Sequence, residues 1–533
     1  MTFALAAIWP QPLAPVHSIP VSALIAAIPL AIVLLLMGVL RKSSLFASVC
    51  GLLTAGVFAT LVWHMPLVLA LWSAAFGGVY AAWPILWIVF CALWLYNLTV
   101  ATGKFELLRS WMERHVSADP CIQVIVVAFC FGALLEGTAG FGSPVAVTAF
   151  LLVGLGFEAR RAVVVALIAN TTPVAFGALG IPIVALAGVT GLDLQQLSSM
   201  VGRQLPFLSL IVPMYLVCVV EGMKGLKRTW PAALVAGGSF AAAQFFVSNF
   251  WGPYTADIIA AAGSIAATLG FLQIWKPGAL EERAAAGEKL SLGATALAWL
   301  PWALLATVTV LWSYLKLQPM GQVALAIPRL HKGVLITLYQ QPYSAVYTFQ
   351  PLAAGTAALT ATVLTALCFG VRPGIFLKCG ATTLKQLRIP GLTVIVIVGL
   401  AYLYNYSGMA YTLGAAAASA GRVFPVLSSY LGWVACFLSG SDTSSNVLFG
   451  NLQVAAAHQL HISPVLMAAT NSSGAVAGKM ISPQNIAVGV TTVGLIAQEG
   501  KVLRSSFWHS VAFAGIVGLI ALAQAYWLTR MVP

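Results

Sequence analysis

Two polar islands set inside helix-length apolar sequence constrain this chain more than any other feature. They are Ser439-Gly-Ser-Asp-Thr-Ser-Ser-Asn446 and Asn471-Ser-Ser-Gly-Ala-Val-Ala-Gly-Lys479-Met-Ile-Ser-Pro-Gln484. With apolar runs on both sides of each, helices must arrive at membrane depth, stop, and leave backbone groups facing small hydroxyl and amide side chains. Lipid cannot hydrogen-bond such groups, so irregular backbone at that depth persists only where protein or a watery cavity surrounds it. An ionisable residue in such a place marks a functional site by default.

Composition supplies the membrane that this reading needs. Of 533 residues, 60% are hydrophobic and 7% charged, and the mean hydropathy is +0.96, whereas a soluble domain carries about 25% charged residues. The chain therefore reads as an all-α polytopic membrane protein in one transmembrane domain, 1–533, since no polar or low-complexity linker divides it. The net charge of +13 does not point to nucleic acid, because Lys and Arg sit in short loops between apolar runs, as positive-inside topology requires. Residues 1–18 contain no basic stretch, so no cleaved signal peptide is expected. The eight Cys lie mostly in apolar spans without a CxxC pair, which suits small buried hydrophobes rather than disulfides or a metal site.

Taken in order, spans are expected at roughly 19–40, 44–63 and 82–101, with an interfacial stretch at 65–80. The Arg41-Lys42 turn and the basic segment 104–115 then fall on the cytoplasmic side. The run 121–156 breaks at Glu136-Gly-Thr-Ala-Gly-Phe-Gly-Ser-Pro144 and exits at the basic Arg160-Arg161, so it reads as a hairpin that enters and leaves on one side. Gly137, Gly140 and Gly142 permit a tight tip, and Pro144 suits the first turn of the returning helix. A span at 162–192 is interrupted at Asn170-Thr-Thr-Pro-Val-Ala-Phe-Gly-Ala-Leu-Gly-Ile-Pro182, which makes it a broken helix. Further spans are expected at 204–221, 230–249, 255–275, 293–315, 351–370 and 390–407. Lys224, Lys227, Arg228, Lys276, Arg283 and Lys289 mark cytoplasmic loops, and 316–350 becomes an external loop that His331 decorates.

The second half repeats the first. At a constant offset of 301 residues, Ser143 falls on Ser444, Asn170 on Asn471, Pro182 on Pro483 and Arg203 on Arg504. Upstream the offset becomes 308, where Leu95-Tyr96-Asn97 matches Leu403-Tyr404-Asn405. The matched positions are the rare polar and helix-breaking ones. An odd number of crossings separates 82–101 from 390–407, so the units, about 82–221 and 390–529, are expected to be inverted, with 19–63 and 230–370 as connecting and scaffold helices. This amounts to about twelve transmembrane helices plus two re-entrant hairpins. Inverted repeats with broken helices that meet near the midplane are the architecture of alternating-access carriers.

Within the breaks, Asp442 and Glu136 occupy corresponding hairpin tips. A carboxylate there costs roughly 2.5–3.5 kcal/mol to insert, and burial favours its neutral form, so either is a candidate to bind and release a proton, with Asp442 favoured because its tip is richer in hydroxyl and amide groups that can reorganise around the carboxyl. The alternative for Asp442 is a helix cap. Lys479 is the Lys or Arg placed inside a break, hence the candidate counter-charge for an anionic substrate; the alternative is an ion pair with Asp442 that neutralises both. Neutral donors and acceptors come from Asn170, Thr171, Thr172, Ser441, Thr443, Ser444, Ser445, Asn446, Asn471, Ser472, Ser473 and Gln484, with Gly440 at the second tip. Half-helix N-termini beside them would attract a carboxylate, while close helix packing is the competing reason for small residues.

These stretches, together with Gly202-Arg-Gln-Leu-Pro-Phe207 and Gly478-Lys-Met-Ile-Ser-Pro-Gln484, resemble the signature segments of the bacterial lactate permease family, and the similarity runs from the first span to the last. The resemblance implies uptake of L-lactate, D-lactate and glycolate with protons across the inner membrane, with no cofactor beyond the proton as coupling ion. Thr138 and Ser143 stand where it leads one to expect Ala, and the external loop is shorter. A sodium-coupled carboxylate carrier is the rival within transport, since unwound carbonyls and hydroxyls also suit Na⁺. A membrane-embedded enzyme needs a nucleophile and base, or metal ligands, at one depth, and the four breaks contain no His or Cys. A channel fits poorly with breaks that suggest an occluding site. No oligomeric state follows from the sequence.

Overall fold

A computed structural model of the chain describes residues 8–38, 40, 42–115, 119–138, 140, 142–275, 291–495 and 498–533. Arg41 and the basic stretch 276–290, used above to assign the cytoplasmic side, lie outside the described residues. The protein is helical nearly throughout. Among the described residues, ten helices are long and apolar enough to cross a membrane, or eleven if the bent pair Ala159–Ala169 and Val174–Thr190 counts as one span.

The difference from twelve has local causes. The stretches 204–221 and 230–249 run on as Leu205–Phe250 but fold back on each other at Gly222, with Gly237 against the carbonyls of Ser209 and Leu210 and Ser209 Oγ donating to Gln244, so that two expected spans are counted as one. Residues 351–370 yield Ala354–Cys368, whose 15 residues make a short apolar helix. The stretch 65–80 is helical. It forms the helix Leu67–Tyr80, which continues through a kink at Trp83 into Trp87–Ala101 and lays Gly77 on the backbone of Val398 and Gly399. The loop 316–350 is partly ordered by backbone pairing, with Val323–Ala326 antiparallel to Val346–Phe349 and Val334–Ile336 between Trp9–Pro10 and Gln341–Pro342. There His331 Nδ1 accepts a hydrogen bond from the Ala345 N–H.

Burial separates an inner shell from an outer one. The apolar segment from Cys121 to Thr138 is completely buried, as is every residue from Val465 to Lys479, whereas Ser44–Leu61 is only 28% buried. A helix that is apolar all round, such as 120–138, has no face to give to a headgroup or to water and belongs in the interior. The helix Pro464–Lys479 reaches the interior by a different route, through small residues. Gly474-Ala-Val-Ala-Gly478 places two bare backbone positions against the carbonyls of Ser429 and Trp433, where a Cβ would collide. Close approach of this kind is how small-x-x-x-small sequences join helices in a membrane.

On the face expected to be cytoplasmic, Arg228 binds Asp119 through two nitrogens at 3.0 and 3.1 Å and Glu221 at 2.7 Å. Arg161 donates to the carbonyls of Val219 and Val220. These contacts fix the Gly222 turn to the start of the first hairpin. They also bring Cys121 beside two carboxylates, where the guanidinium satisfies the charge.

Candidate functional site

Each break in helical sequence produces a distinct piece of the site. The first hairpin descends as 120–138 and turns through Gly140 and Gly142, whose φ values of 55° and 85° are the left-handed conformation that only glycine adopts without strain. It then returns as Ser143–Gly154 with Pro144 in the first turn. Glu136 lies in the last turn of the descending limb and is 2% exposed. Its carboxylate rests on the backbone of Gly177, where a Cβ would sit 2.6 Å from Oε1.

The first broken helix ends at Ala169, passes through a turn and a short 3₁₀ segment, Val174–Phe176, and restarts with a bend of 68°. Its restart contains three successive left-handed residues, Ala178, Leu179 and Gly180, at φ 45°, 60° and 71°. Two of these are not glycine and cost roughly 1–2 kcal/mol each. Full burial and the contact of Gly180 with Pro253 hold them there. The second hairpin turns at Gly440, φ 72°, after Phe424–Ser439. Ser441 then caps Asp442–Gln459 by accepting the Ser444 N–H at 3.3 Å. The second broken helix ends at Lys479 and resumes as Pro483–Thr492 behind the cap Ser482.

All four breaks meet around one internal cavity of about 60 Å³, lined by Glu136 and Gly140, by the segment from Val174 to Pro182, by Gly440 to Thr443, and by Lys479. Where about 10–15 Å³ holds one water, this space takes a few waters or a small organic acid. Lys479 Nζ donates to Glu136 Oε1 at 2.6 Å, with side chains 8% and 3% exposed. Asp442 lines the same space. Its Oδ2 accepts from Ser472 Oγ at 2.8 Å, while its Oδ1 and Glu136 Oε2 have no partner. The ion pair is therefore with Glu136, not with Asp442, because Lys479 at the end of its helix faces the first hairpin rather than the second.

The structure divides the expected polar residues into those at the cavity and those behind it. Ser441 and Thr443 line it beside Asp442 and Lys479. Asn446 Nδ2 donates to Pro182 O at 3.1 Å and Ser472 Oγ at 3.0 Å, and Asn471 Nδ2 donates to Asn446 Oδ1 at 3.0 Å. Ser445 Oγ bonds Gly432 O, and Gln453 bonds Asn471 Oδ1. This second layer ties helices together. Ser444 and Ser473 are buried outside the lining, and Ser473 Oγ is without a partner. Asn170, Thr171 and Thr172 are likewise buried behind the lining, with Asn170 Oδ1 and Thr172 Oγ1 unpartnered. Gln484 is not among the lining residues: it is exposed, donates to Ser44 Oγ at 2.7 Å and keeps its Oε1 against Gly440, since it follows the cap of the outgoing half-helix. Gly137 does not shape the tip but packs on Asp257 and Ile258.

Sequence reading passed over Asp257, which is 1% exposed in the first turn of Ala256–Ile274. The span looked ordinary because a single acid sits near its end. The available signal was the acid itself, an ionisable residue in an apolar span.

A family model described as L-lactate permease matches residues 22–528. The glycolate permease GlcA of Escherichia coli K12 is 42% identical over 555 aligned positions, covering 98% of this chain and 99% of that protein. The L-lactate permease of Salmonella typhimurium is 40% identical, covering 99% and 100%, and that of Bacillus subtilis 39%, covering 98% and 100%. Among solved structures, the YdaH transporter of Alcanivorax borkumensis aligns over 84% of this chain and 86% of its own at 14% identity and a TM-score of 0.43, too distant to bear on residues. The apolar helices and matches that extend over nearly the whole length agree: the chain belongs to the L-lactate permease family, as a multi-pass transporter of the bacterial inner membrane and not an enzyme.

Proposed function

We propose that this protein imports small 2-hydroxy monocarboxylates, L-lactate, D-lactate and glycolate, by proton symport, with the halves 82–221 and 390–529 as inverted units around a fixed site. The names of the relatives, lactate and glycolate permeases, support the substrate class. The observation that carries the coupling is the buried Lys479–Glu136 pair at the cavity. An incoming carboxylate competes with Glu136 for the one ammonium there. Glu136 set free as an anion would be an unpaired buried charge, so it leaves Lys479 by taking up a proton. Lys479 then holds the substrate, the N-terminus of Asp442–Gln459 adds its dipole, and the Ser441 and Thr443 hydroxyls suit the 2-hydroxyl. On the far side, loss of the proton returns Glu136 to Lys479 and expels the anion. One proton moves with one anion, so net transport is electroneutral. This scheme favours Glu136 over Asp442 as proton carrier, because Glu136 is the group the substrate displaces.

Radiolabelled lactate uptake into proteoliposomes is the test. An inwardly directed proton gradient should drive accumulation that a protonophore abolishes and sodium does not alter. Accumulation driven by sodium at fixed, equal pH would overturn the proton reading in favour of a sodium-coupled carrier.

A further inference from the structure

Three carboxyls and one ammonium are buried together in this protein, and the scheme above uses only two of them. Fully ionised, Lys479, Glu136, Asp442 and Asp257 would carry two uncompensated negative charges in the interior. Asp442 has the Ser472 hydroxyl and lines the cavity. Asp257 has less: its Oδ1 accepts one long hydrogen bond, 3.5 Å from Gln244 Nε2, and its Oδ2 is buried with no partner. Yet it stands directly behind the coupling pair. Gly137, the neighbour of Glu136, lies so close that a Cβ there would sit 2.9 Å from Asp257 Cβ, and Asp257 is in electrostatic contact with both Glu136 and Lys479.

We propose that Asp257 is the proton reservoir for Glu136, an inference that rests on the proton-symport reading. In the paired state the Asp257 carboxyl is protonated, as a buried acid without a cation must be, while Glu136 is the anion on Lys479. When substrate takes the Lys479 ammonium, the O–H bond at Asp257 breaks and one forms at Glu136, directly or through one water. Asp257, now ionised beside a neutral Glu136, takes a proton from the side open to solvent. The two carboxyls thus share one proton in one phase and hold two in the other, as closely placed acids do.

The surroundings leave few other sources. The first hairpin presents Glu136, and Cys130 of the same limb is engaged with Ser264. The long helix Leu205–Phe250 presents the neutral Gln244, whose amide also bonds the Thr172 carbonyl. The segment 177–190 contains no titratable residue. Among the described residues, Lys479 supplies the other charge that acts on Asp257. Gln244 is therefore the positioning residue that aims Asp257 at the hairpin.

The test compares Asp257→Asn with wild type in proteoliposomes, by counterflow of labelled lactate and by accumulation under an imposed pH gradient. Asn keeps the hydrogen bond to Gln244 but holds no exchangeable proton. The expected result is counterflow near the wild-type rate with accumulation lowered by roughly tenfold or more, in line with usual coupling strengths, and accumulation regained in Asp257→Glu. Equal accumulation by Asp257→Asn and wild type overturns the inference, and so does a parallel loss of both activities, which marks a structural role. If wild type ignores the pH gradient, the symport reading fails first and this inference with it. Should Asp257→Asn not reconstitute, the pH profile of counterflow by Asp257→Glu decides: a displaced profile supports the reservoir and a superimposable one overturns it.

Discussion

Lys479 and Glu136 are 343 positions apart and, among the described residues, make the shortest ion pair, so the chemistry proposed for the site rests on a contact that neither residue's neighbours encode. Removing the ammonium in Lys479→Ala takes away a charge-assisted hydrogen bond worth about 1.5–3 kcal/mol, and lactate affinity of the purified protein should fall roughly tenfold or more. Lys479→Arg should not restore it, because a planar fork does not replace a compact ammonium in a small cavity. Unchanged binding in Lys479→Ala, read by calorimetry, would shift the anchor to the helix N-terminus at Asp442. Glu136→Gln mimics the proton-loaded state permanently: labelled lactate should still exchange but not accumulate against a gradient. If Asp442→Asn shows that phenotype and Glu136→Gln does not, the carrier is Asp442. Gly177 belongs to the same argument. A methyl there would meet Glu136 Oε1 at 2.6 Å, so Gly177→Ala should push the carboxylate off Lys479 and slow transport while leaving the pair's residues intact.

Among elements, the second hairpin and both broken helices are joined by Asn446, which donates to Pro182 O and Ser472 Oγ and accepts from Asn471. Replacing it with Leu removes the bonds to Pro182 O and Ser472 Oγ and leaves the Asn471 amide only its long contact to Ser445 Oγ, at about 1–3 kcal/mol for a buried polar group that loses its partner. The unfolding midpoint of detergent-solubilised Asn446→Leu should drop accordingly; a midpoint equal to wild type would mean the clasp is replaced by water. The breaks themselves were legible in the sequence, because Gly, Pro, Ser and Asn in apolar runs interrupt helices for local reasons: Gly440 supplies a left-handed φ and Ser441 a cap. Which of their polar side chains face the cavity was not legible. Thr443 and Asn446 are one helical turn apart, yet Thr443 lines the cavity and Asn446 clasps another helix. Only the rotation of the packed helix separates them.

For the whole molecule, the inverted arrangement proposed above predicts sidedness. In a cysteine-free background, Arg160→Cys at the exposed exit of the first hairpin should react with an impermeant thiol reagent only from the cytoplasm, and His461→Cys at the exit of the second only from outside. Labelling of position 160 from outside in intact cells would contradict the topology. The sequence by itself determined that the chain is helical and membrane-embedded, where helices break, and to which family it belongs, because burial in lipid leaves apolar run length and helix-breaking residues as local, one-dimensional signals. The tertiary structure decided the rest. It folded 204–249 back on itself at Gly222, ordered 65–80 against Gly399, bound the Gln484 amide to Ser44, matched Lys479 with Glu136 and set Asp257 behind them. Such pairings depend on which faces of distant helices meet, and packing of whole helices, not the composition of any one of them, fixes those faces.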